Sequence, residues 1–156
     1  MHWKTNPLYI TTSIWGENAR RRAKKMLDSE VQGYVKKTWG SELWFANNDL
    51  YCGKLLTVEP GKWSSEGKYH YHKIKDETFF VIEGRLWIDI GDDKTGEYQR
   101  LHLYANDSYR VMPGVKHRFT ASSQFTCKFI EASTHHDDED SYRCYYDEKK
   151  EKWIDG

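Results

Sequence analysis

Two histidines in the stretch GKYHYHKIKDETFFVIEG have the type and spacing of metal ligands. His70 and His72 are separated by one residue, so in an extended strand their side chains point the same way, with Cα atoms roughly 6.5–7 Å apart. At that separation both imidazoles can reach one ion. The pair therefore indicates a metal site on a strand.

A glutamate and a third histidine follow on predicted strands whose other inward residues are apolar. Glu77 shares a face with Phe79 and Val81, whereas His117 comes after a Pro-Gly turn and shares a face with Phe119. A lone carboxylate in an apolar interior would cost on the order of several kcal/mol. A metal ion would compensate that charge, so Glu77 and His117 are predicted to complete the ligand set.

Three imidazoles and one carboxylate suit borderline divalent ions, and four protein ligands leave positions open for a substrate. Each histidine alone is more simply explained as an ordinary core or surface residue. Without an ion, however, each of the four inward polar side chains would need its own hydrogen-bond or charge partner. We therefore predict one divalent transition metal ion, Mn, Fe, Co, Ni or Zn, held by His70, His72, Glu77 and His117.

The segment from about Thr38 to Ser133 predicts the strands that would position these residues. Short apolar or alternating runs are separated by turn residues, and no helix-length periodicity interrupts them, which is typical of a sandwich or barrel. The aromatic content of 15% also favours pleated sheet. The runs are ELWFAN, YCGKLLTVEPG, ETFFVIEG, RLWIDIGDD, YQRLHLYAND, SYRVMPG, KHRFTASS and FTCKFIEAS.

The two ends of the chain differ from this central segment. Glu17 to Val31 is rich in helix formers and lacks Gly and Pro, so it predicts one helix. The last stretch has no continuous apolar face and is either a free tail or a segment folded back across an opening. We divide the single domain into an N-terminal extension (1–37), a barrel (38–134) and a C-terminal extension (135–156).

Length and charge disfavour several classes of function. A chain of 156 residues fits one compact domain. Lysine plus arginine equals aspartate plus glutamate at 24 each, so no overall field attracts nucleic acid or an anionic membrane. No window approaches a membrane span, and three cysteines without CxxC spacing suit reduced thiols. We therefore expect a cytoplasmic protein that binds neither nucleic acid nor membrane.

The predicted ligands and their flanking turns resemble the two motifs of the cupin superfamily over about Gly40 to Glu131. The first motif combines a histidine pair, a glutamate and a glycine, and the second combines a proline, a glycine and a third histidine. The matching residues are Gly67, His70, His72, Glu77, Gly84, Pro113, Gly114 and His117. The resemblance implies an all-β fold, a small antiparallel barrel or jelly roll, and gives the ligand role to the same four residues.

The chain departs from the second motif at one position. That motif normally opens with Gly-Asp, whereas this chain has Asn106 and Asp107. Asparagine tolerates the left-handed backbone conformation that the glycine would supply. The turn is therefore expected to survive the substitution.

Further residues are similar to those of small cupins related to type II mannose-6-phosphate isomerases and, more loosely, to D-lyxose isomerases. In the closing segment this chain has EKKEKWIDG where the isomerases usually have a Tyr-Gly-Arg ending. The resemblance implies a metal-dependent aldose–ketose isomerase that acts on a sugar or sugar phosphate, and a homodimer. In the closing segment the resemblance to these isomerases rests on Glu131, Ser133, Thr134, Asp140, Arg143 and Asp147.

Three side chains outside the ligand set are candidates for the isomerase chemistry. Glu131 is the first candidate for the base that moves a proton between C1 and C2, ahead of Asp140 or a ligand carboxylate. Arg143 could bind a phosphate or polarise a sugar oxygen, and its plain alternative is a surface salt bridge. Lys54 lies on a predicted strand and either reaches into the barrel or snorkels outward.

Other polar and aromatic residues have simpler explanations. His135 and His136 lie in an acidic run and are expected to face solvent. Trp44, Trp87 and Phe119 could stack on a sugar, but aromatic residues on strands most often belong to the core.

The same ligand set suits two other functions. A non-catalytic cupin in carbohydrate metabolism could bind a sugar without turning it over. An Fe(II) dioxygenase could use the same four ligands and bind dioxygen at the open positions. One fold supports many activities, so these alternatives stand beside the isomerase.

Overall fold

The computed structural model describes residues 33–156, and within this range the chain is almost entirely β-structure. The helix predicted for Glu17–Val31 lies outside the described residues. The strands are β1 (Gly33–Lys37), β2 (Gly40–Asn47), β3 (Cys52–Val58), β4 (Tyr69–Tyr71), β5 (Glu77–Glu83), β6 (Arg85–Gly91), β7 (Tyr98–Tyr104), β8 (Ser108–Val111), β9 (His117–Ala121), β10 (Cys127–Ser133), β11 (Tyr142–Asp147) and β12 (Lys152–Asp155).

The strands form two antiparallel sheets of six strands each. The first sheet has the order β1-β2-β3-β10-β5-β8, and the second has the order β12-β11-β4-β9-β6-β7. Each of the eight apolar or alternating runs contains one of the strands β2, β3 and β5–β10, so the all-β prediction is confirmed. Within residues 33–156 no helix is both long enough and apolar enough to cross a membrane.

The interior between the sheets is polar at one end and apolar at the other, because the inward side chains of four strands change from polar to apolar in the same direction. On β3, Lys54 is followed two residues later on the same face by Leu56, and on β5 Glu77 is followed by Phe79. The strands β9 and β10 repeat this pattern with His117 and Glu131 at their polar ends. The apolar core contains Trp39, Leu56, Val58, Phe79, Val81, Leu86, Ile88, Val111, Phe119, Ala121, Cys127 and Phe129.

The turn that precedes β8 confirms the expectation for the altered second motif. Asn106 has φ 75°, which is the left-handed conformation that a glycine would otherwise supply. Its N–H donates to the carbonyl of Val81, and the N–H of Val81 donates to the carbonyl of Asp107. The Asn-Asp pair therefore makes the turn and joins it to β5.

Residues at both ends of the described range belong to the sheets. β1, which falls within the sequence-predicted N-terminal extension, is the edge strand of the first sheet. The strands β11 and β12 of the C-terminal extension continue the second sheet, where β11 pairs with β4 and places Arg143 beside His70. The closing segment is thus folded back across the polar end of the interior, one of the two arrangements considered from the sequence.

Candidate metal centre and cavity

Four predicted ligands converge at the polar end of the barrel. His70 lies on β4 and pairs directly with His117 at the start of β9, while His72 follows β4 and Glu77 begins β5. One potential ligand atom from each residue lies within 4.8 Å of those of the other three. Each of the four residues has an exposed fraction of 9% or less. The structure therefore brings together the ligand set that the sequence predicted.

Backbone carbonyls fix the orientation of two of the imidazoles. His72 Nδ1 lies 2.5 Å from the carbonyl oxygen of Asp140, and His117 Nδ1 lies 2.9 Å from that of Val115. A carbonyl only accepts, so both Nδ1 atoms carry a proton and the Nε2 lone pairs are free to bind an ion. His70 Nδ1 lies 3.4 Å from the hydroxyl of Ser65, which leaves its Nε2 available as well.

Two buried acceptor atoms face each other at the centre of the cluster. Glu77 Oε1 and His117 Nε2 are 3.0 Å apart, yet neither has a hydrogen-bond partner among the described residues. His72 Nε2 lies 3.5 Å from the same carboxylate oxygen. A cation would satisfy these facing lone pairs, and the mixed nitrogen and oxygen donors suit a borderline divalent ion. The four residues therefore fit a metal ion.

The electrostatic environment favours the protonation states that a metal needs. Burial lowers the pKa of His70 well below its usual range, and the neighbouring His117 lowers it further. Burial would raise the pKa of Glu77, but this pKa is held well below its usual range, and the ammonium of Lys75 is the largest cause that lowers it. Neutral imidazole and ionised carboxylate are the forms that bind a metal.

A cavity of about 380 Å³ opens beside this cluster, and six of the seven sequence-predicted site residues line it. Its size lies within the roughly 300–1,000 Å³ that small-molecule sites occupy. The seventh of these residues, His117, stands behind the other six at the metal cluster. The lining residues used below are Glu42, Lys54, His70, His72, Lys75, Glu77, Phe119, Glu131, His136, Ser141 and Arg143.

Lys54 reaches into the cavity and does not snorkel outward. Its exposed fraction is 2%, and its Nζ lies 3.8 Å from Glu131 Oε1 and 3.9 Å from Glu42 Oε2. The ammonium also lies over the ring of Trp44, 3.8 Å from its centroid, and 3.1 Å from His136 Nδ1. His136 is therefore not the solvent-facing residue expected from the sequence, because its ring packs on Trp44 and contacts Lys54.

Two other candidates have contacts that bear on their roles. The exposed Arg143 has no ion-pair partner within residues 33–156, so the salt bridge considered from the sequence is not formed there. The carboxylate of Asp140 accepts hydrogen bonds from the backbone N–H groups of Lys73, Ile74 and Lys75. These hydrogen bonds hold the Asp140 carboxylate against the loop before β5, so it is not available as an alternative base.

The aromatic candidates separate into two groups. Trp44 and Phe119 are buried, and Phe119 lines the cavity. Trp87 packs instead against His102 across β6 and β7, with ring centroids 5.2 Å apart, outside the residues that line the cavity.

Sequence reasoning missed Glu42 and Lys75. Glu42 lies two residues before the inward Trp44 on β2 and shares its face, so strand periodicity alone could have identified it. Lys75 lies in the loop between β4 and β5, where no periodicity indicates a direction, and yet its exposed fraction is 4%. Its Nζ lies 2.6 Å from Glu77 Oε2 and 2.9 Å from Glu131 Oε1.

Comparison with known proteins agrees with the fold and the motif. Residues 54–133, about half of the chain, match the family Cupin_2, described as "Cupin domain". The chain belongs to this cupin family. It is 39% identical over 56 residues to the uncharacterized protein YdbB of Bacillus subtilis (strain 168), a match that covers 36% of this chain and 45% of YdbB. The chain thus matches less than half the length of this curated relative.

Solved structures with the same fold come from proteins of different kinds. The capsular polysaccharide assembling protein CapF of Staphylococcus aureus is 18% identical with a TM-score of 0.61, over 70% of this chain and 33% of CapF. KdgF of Halomonas sp. is 15% identical with a TM-score of 0.54, over 69% of this chain and 90% of KdgF. A mutant of oxalate decarboxylase OxdC of Bacillus subtilis is 15% identical with a TM-score of 0.60, over 70% of this chain and 29% of OxdC. At these identities the similarity shows the fold alone.

We expect His117→Ala to lower the affinity for a divalent ion such as Zn²⁺ or Co²⁺ by at least about 100-fold, because a direct ligand should matter at least as much as its outer-shell partners. Calorimetric titration of the metal-free protein, with elemental analysis of the purified protein, measures this. His102→Ala is the matched control, since His102 packs on Trp87 outside the cluster and its removal should leave metal binding unchanged. Equal affinities in the two variants would contradict the ligand assignment.

We expect Asp140→Asn to lower the free energy of unfolding at pH 7 by about 2–4 kcal/mol, because an uncharged amide with one acceptor oxygen replaces a carboxylate that accepts from three buried or half-buried N–H groups. Burial would raise the pKa of Asp140, but the N–H groups of Lys75, Lys73 and Ile74 outweigh burial and lower it. The carboxylate therefore stabilises the fold above its unfolded pKa of about 3.9, and this contribution is lost as the pH falls through the lower folded pKa.

Thermal unfolding of wild type and Asp140→Asn between pH 7 and pH 3 measures this contribution. The difference in stability should narrow as the pH falls. Asp93→Asn serves as the control, because the exposed Asp93 makes only an ion pair with Lys116. A difference that stays constant across the pH range would show that the charge of Asp140 is not responsible.

Proposed function

We propose that this cupin is a metal-dependent aldose–ketose isomerase that acts on a sugar or sugar phosphate. The observation that carries the proposal is the position of Glu131. Its buried carboxylate is linked through Lys75 to Glu77, one of the four residues that fit a metal, and both carboxylates line the same cavity. A metal-dependent aldose–ketose isomerase uses such a pairing of a metal centre with a base.

The polarity of the cavity supports a hydroxyl-rich ligand. Lys54 has three N–H donors, and among the described residues only His136 lies within hydrogen-bond distance of them. The carboxylates of Glu42 and Glu131 are 3.8 Å or more from this ammonium. The lysine donors and these carboxylate acceptors therefore line the same cavity without forming hydrogen bonds to one another. Sugar hydroxyl groups, which both donate and accept, complement such a lining.

In the proposed reaction Glu131 removes the proton from C2 of the open-chain aldose; the electron pair of that C–H bond forms the C1–C2 double bond while the π pair of C1=O moves onto O1, which gives an enediolate. The hydroxyl proton then moves from O2 to O1, the O2 electron pair forms the C2=O bond, and the C1–C2 π pair takes the proton back from Glu131 at C1, which gives the ketose. A bound metal ion would supply Lewis-acid stabilisation of the negative charge that develops on the sugar oxygens. Lys54 is positioned to donate a hydrogen bond to one of these oxygens.

One feature of the site favours a non-catalytic sugar-binding cupin as the second candidate. Glu131 accepts a hydrogen bond from the Lys75 ammonium at 2.9 Å and has the Lys54 ammonium 3.8 Å away. The Lys75 ammonium thus occupies one oxygen of this carboxylate, which leaves fewer lone pairs free to accept a proton from a sugar. A module that only holds a sugar would not need a strong base here.

The homodimer and the cytoplasmic location stay predictions. On the outer face of the first sheet, neighbouring positions in register across β1, β2, β3, β10 and β5 carry Tyr34, Leu43, Leu55, Ile130 and Phe80. Of these, Tyr34, Leu43 and Phe80 are exposed. A second copy of the chain could cover this apolar row.

We expect Glu131→Gln to lower kcat by about 10²–10⁴-fold without changing the metal content, because a general base contributes on this scale. The assay is anaerobic interconversion of mannose 6-phosphate with fructose 6-phosphate, and of free pentoses, with Mn²⁺, Co²⁺ or Zn²⁺. Glu83→Gln is the matched control, since Glu83 is an exposed glutamate that pairs with Lys128 at 3.3 Å.

The wild-type protein distinguishes the alternatives in the same assay. Sugar-induced thermal stabilisation without turnover would contradict the isomerase and support the binding module. Oxygen consumption that requires Fe(II) would indicate an oxygenase instead.

We expect Arg143→Gln to raise KM for a phosphorylated sugar by about 10-fold or more and to change KM for the free sugar little. Within residues 33–156 Arg143 has no ion-pair partner, so its guanidinium at the cavity is available for bidentate phosphate binding, and a hydrogen bond to a charged group contributes about 1.5–3 kcal/mol. Steady-state kinetics with both substrate types measures this. An equal change for the two substrates would rule out phosphate recognition by Arg143.

A further inference from the structure

Lys75 is the only residue in the described part of the chain whose side chain forms salt bridges with both Glu77 and Glu131. Its ammonium lies 2.6 Å from Glu77 Oε2 and 2.9 Å from Glu131 Oε1. The three side chains are at most 6% exposed, so solvent screens these contacts little. Lys75 therefore connects the candidate metal centre directly to the candidate base.

The two oxygens of Glu77 have different surroundings because of this contact. Oε2 is bound by Lys75, whereas Oε1 faces His117 Nε2 at 3.0 Å and His72 Nε2 at 3.5 Å. With Oε2 held by the ammonium, only Oε1 points to the centre of the cluster. Without it the carboxylate could rotate, or present both oxygens to an ion.

The main chain that carries Lys75 is itself held in place. The Asp140 carboxylate accepts the N–H of Lys75 at 2.8 Å and the N–H of Lys73 at 2.8 Å, while the Asp140 carbonyl lies 2.5 Å from His72 Nδ1. One residue of the closing segment thus fixes both the loop that presents Lys75 and the ring of a candidate ligand.

We propose that Lys75 is a positioning residue: it selects Oε1 of Glu77 as the metal-binding oxygen and turns the Glu131 carboxylate towards the same cavity. This inference rests on the metal centre of the proposed function but not on isomerase activity. Lys54 offers an internal comparison, because it too is a buried lysine near Glu131, at 3.8 Å, but it has no contact with Glu77.

The test is a Co²⁺ titration of the metal-free protein, followed by visible absorption, for wild type, Lys75→Met and Lys54→Met. In Lys75→Met we expect Co²⁺ affinity to fall by about 10–100-fold, the effect of losing an outer-shell partner of a metal ligand. We also expect its d–d absorption bands to shift, because Glu77 can then bind through a different oxygen or through both. Lys54→Met should retain the wild-type affinity and spectrum.

Folding and metal binding are separated by further measurements. Circular dichroism and thermal unfolding establish that each variant is folded. If Lys75→Met does not fold because two carboxylates are left unpaired, Lys75→Met combined with Glu131→Gln removes one of these charges and is compared with Glu131→Gln alone. A folded Lys75 variant with unchanged affinity and spectrum would overturn the positioning role and leave the metal centre standing. Absence of Co²⁺ binding by wild type would instead overturn the metal centre and this inference together.

Discussion

The burial of ionised side chains in one half of the barrel is the constraint on which the rest of the structure depends. Glu42, Lys54, Lys75, Glu77 and Glu131 are all at most 8% exposed. An unpaired charge in such a place costs on the order of several kcal/mol, so each must have a partner. Lysine contacts supply most of these partners, and one oxygen of Glu77, facing a lone pair of His117, is left for a cation.

The antiparallel pairing of the strands keeps this polar region together and apart from the apolar core. In the β3–β10 register Lys54 lies opposite Glu131, Leu56 opposite Phe129, and Val58 opposite Cys127. A shift of one residue would turn these side chains to the other face of the sheet. The same register that packs the core therefore sets the distance between opposite charges, so fold stability and site geometry depend on one alignment.

Strand periodicity was sufficient to predict most of the fold and the convergence of the four candidate metal ligands, because it fixes side-chain direction locally. It placed Glu77 and His117 on inward faces, and the left-handed tolerance of asparagine predicted the turn at Asn106. It could not place Lys75, whose direction is set by Asp140, 65 residues further along the chain. Nor could it choose between a free tail and a folded segment, since β11 is held by pairing with β4, and β12 by pairing with β11.

The closing segment, residues 135–156, does more than cover the cavity, because its residues contact side chains of the candidate site. His136 binds the Lys54 ammonium, and the Asp140 carbonyl fixes the His72 imidazole. A metal bound by His72 would stabilise the orientation of that ring, and with it the hydrogen bond to Asp140. Such a coupling is reciprocal. If the docked segment strengthens metal binding by holding His72 in its binding orientation, bound metal must strengthen docking of the segment by the same free energy. The order of the closing segment and the occupancy of the metal centre are therefore expected to be coupled.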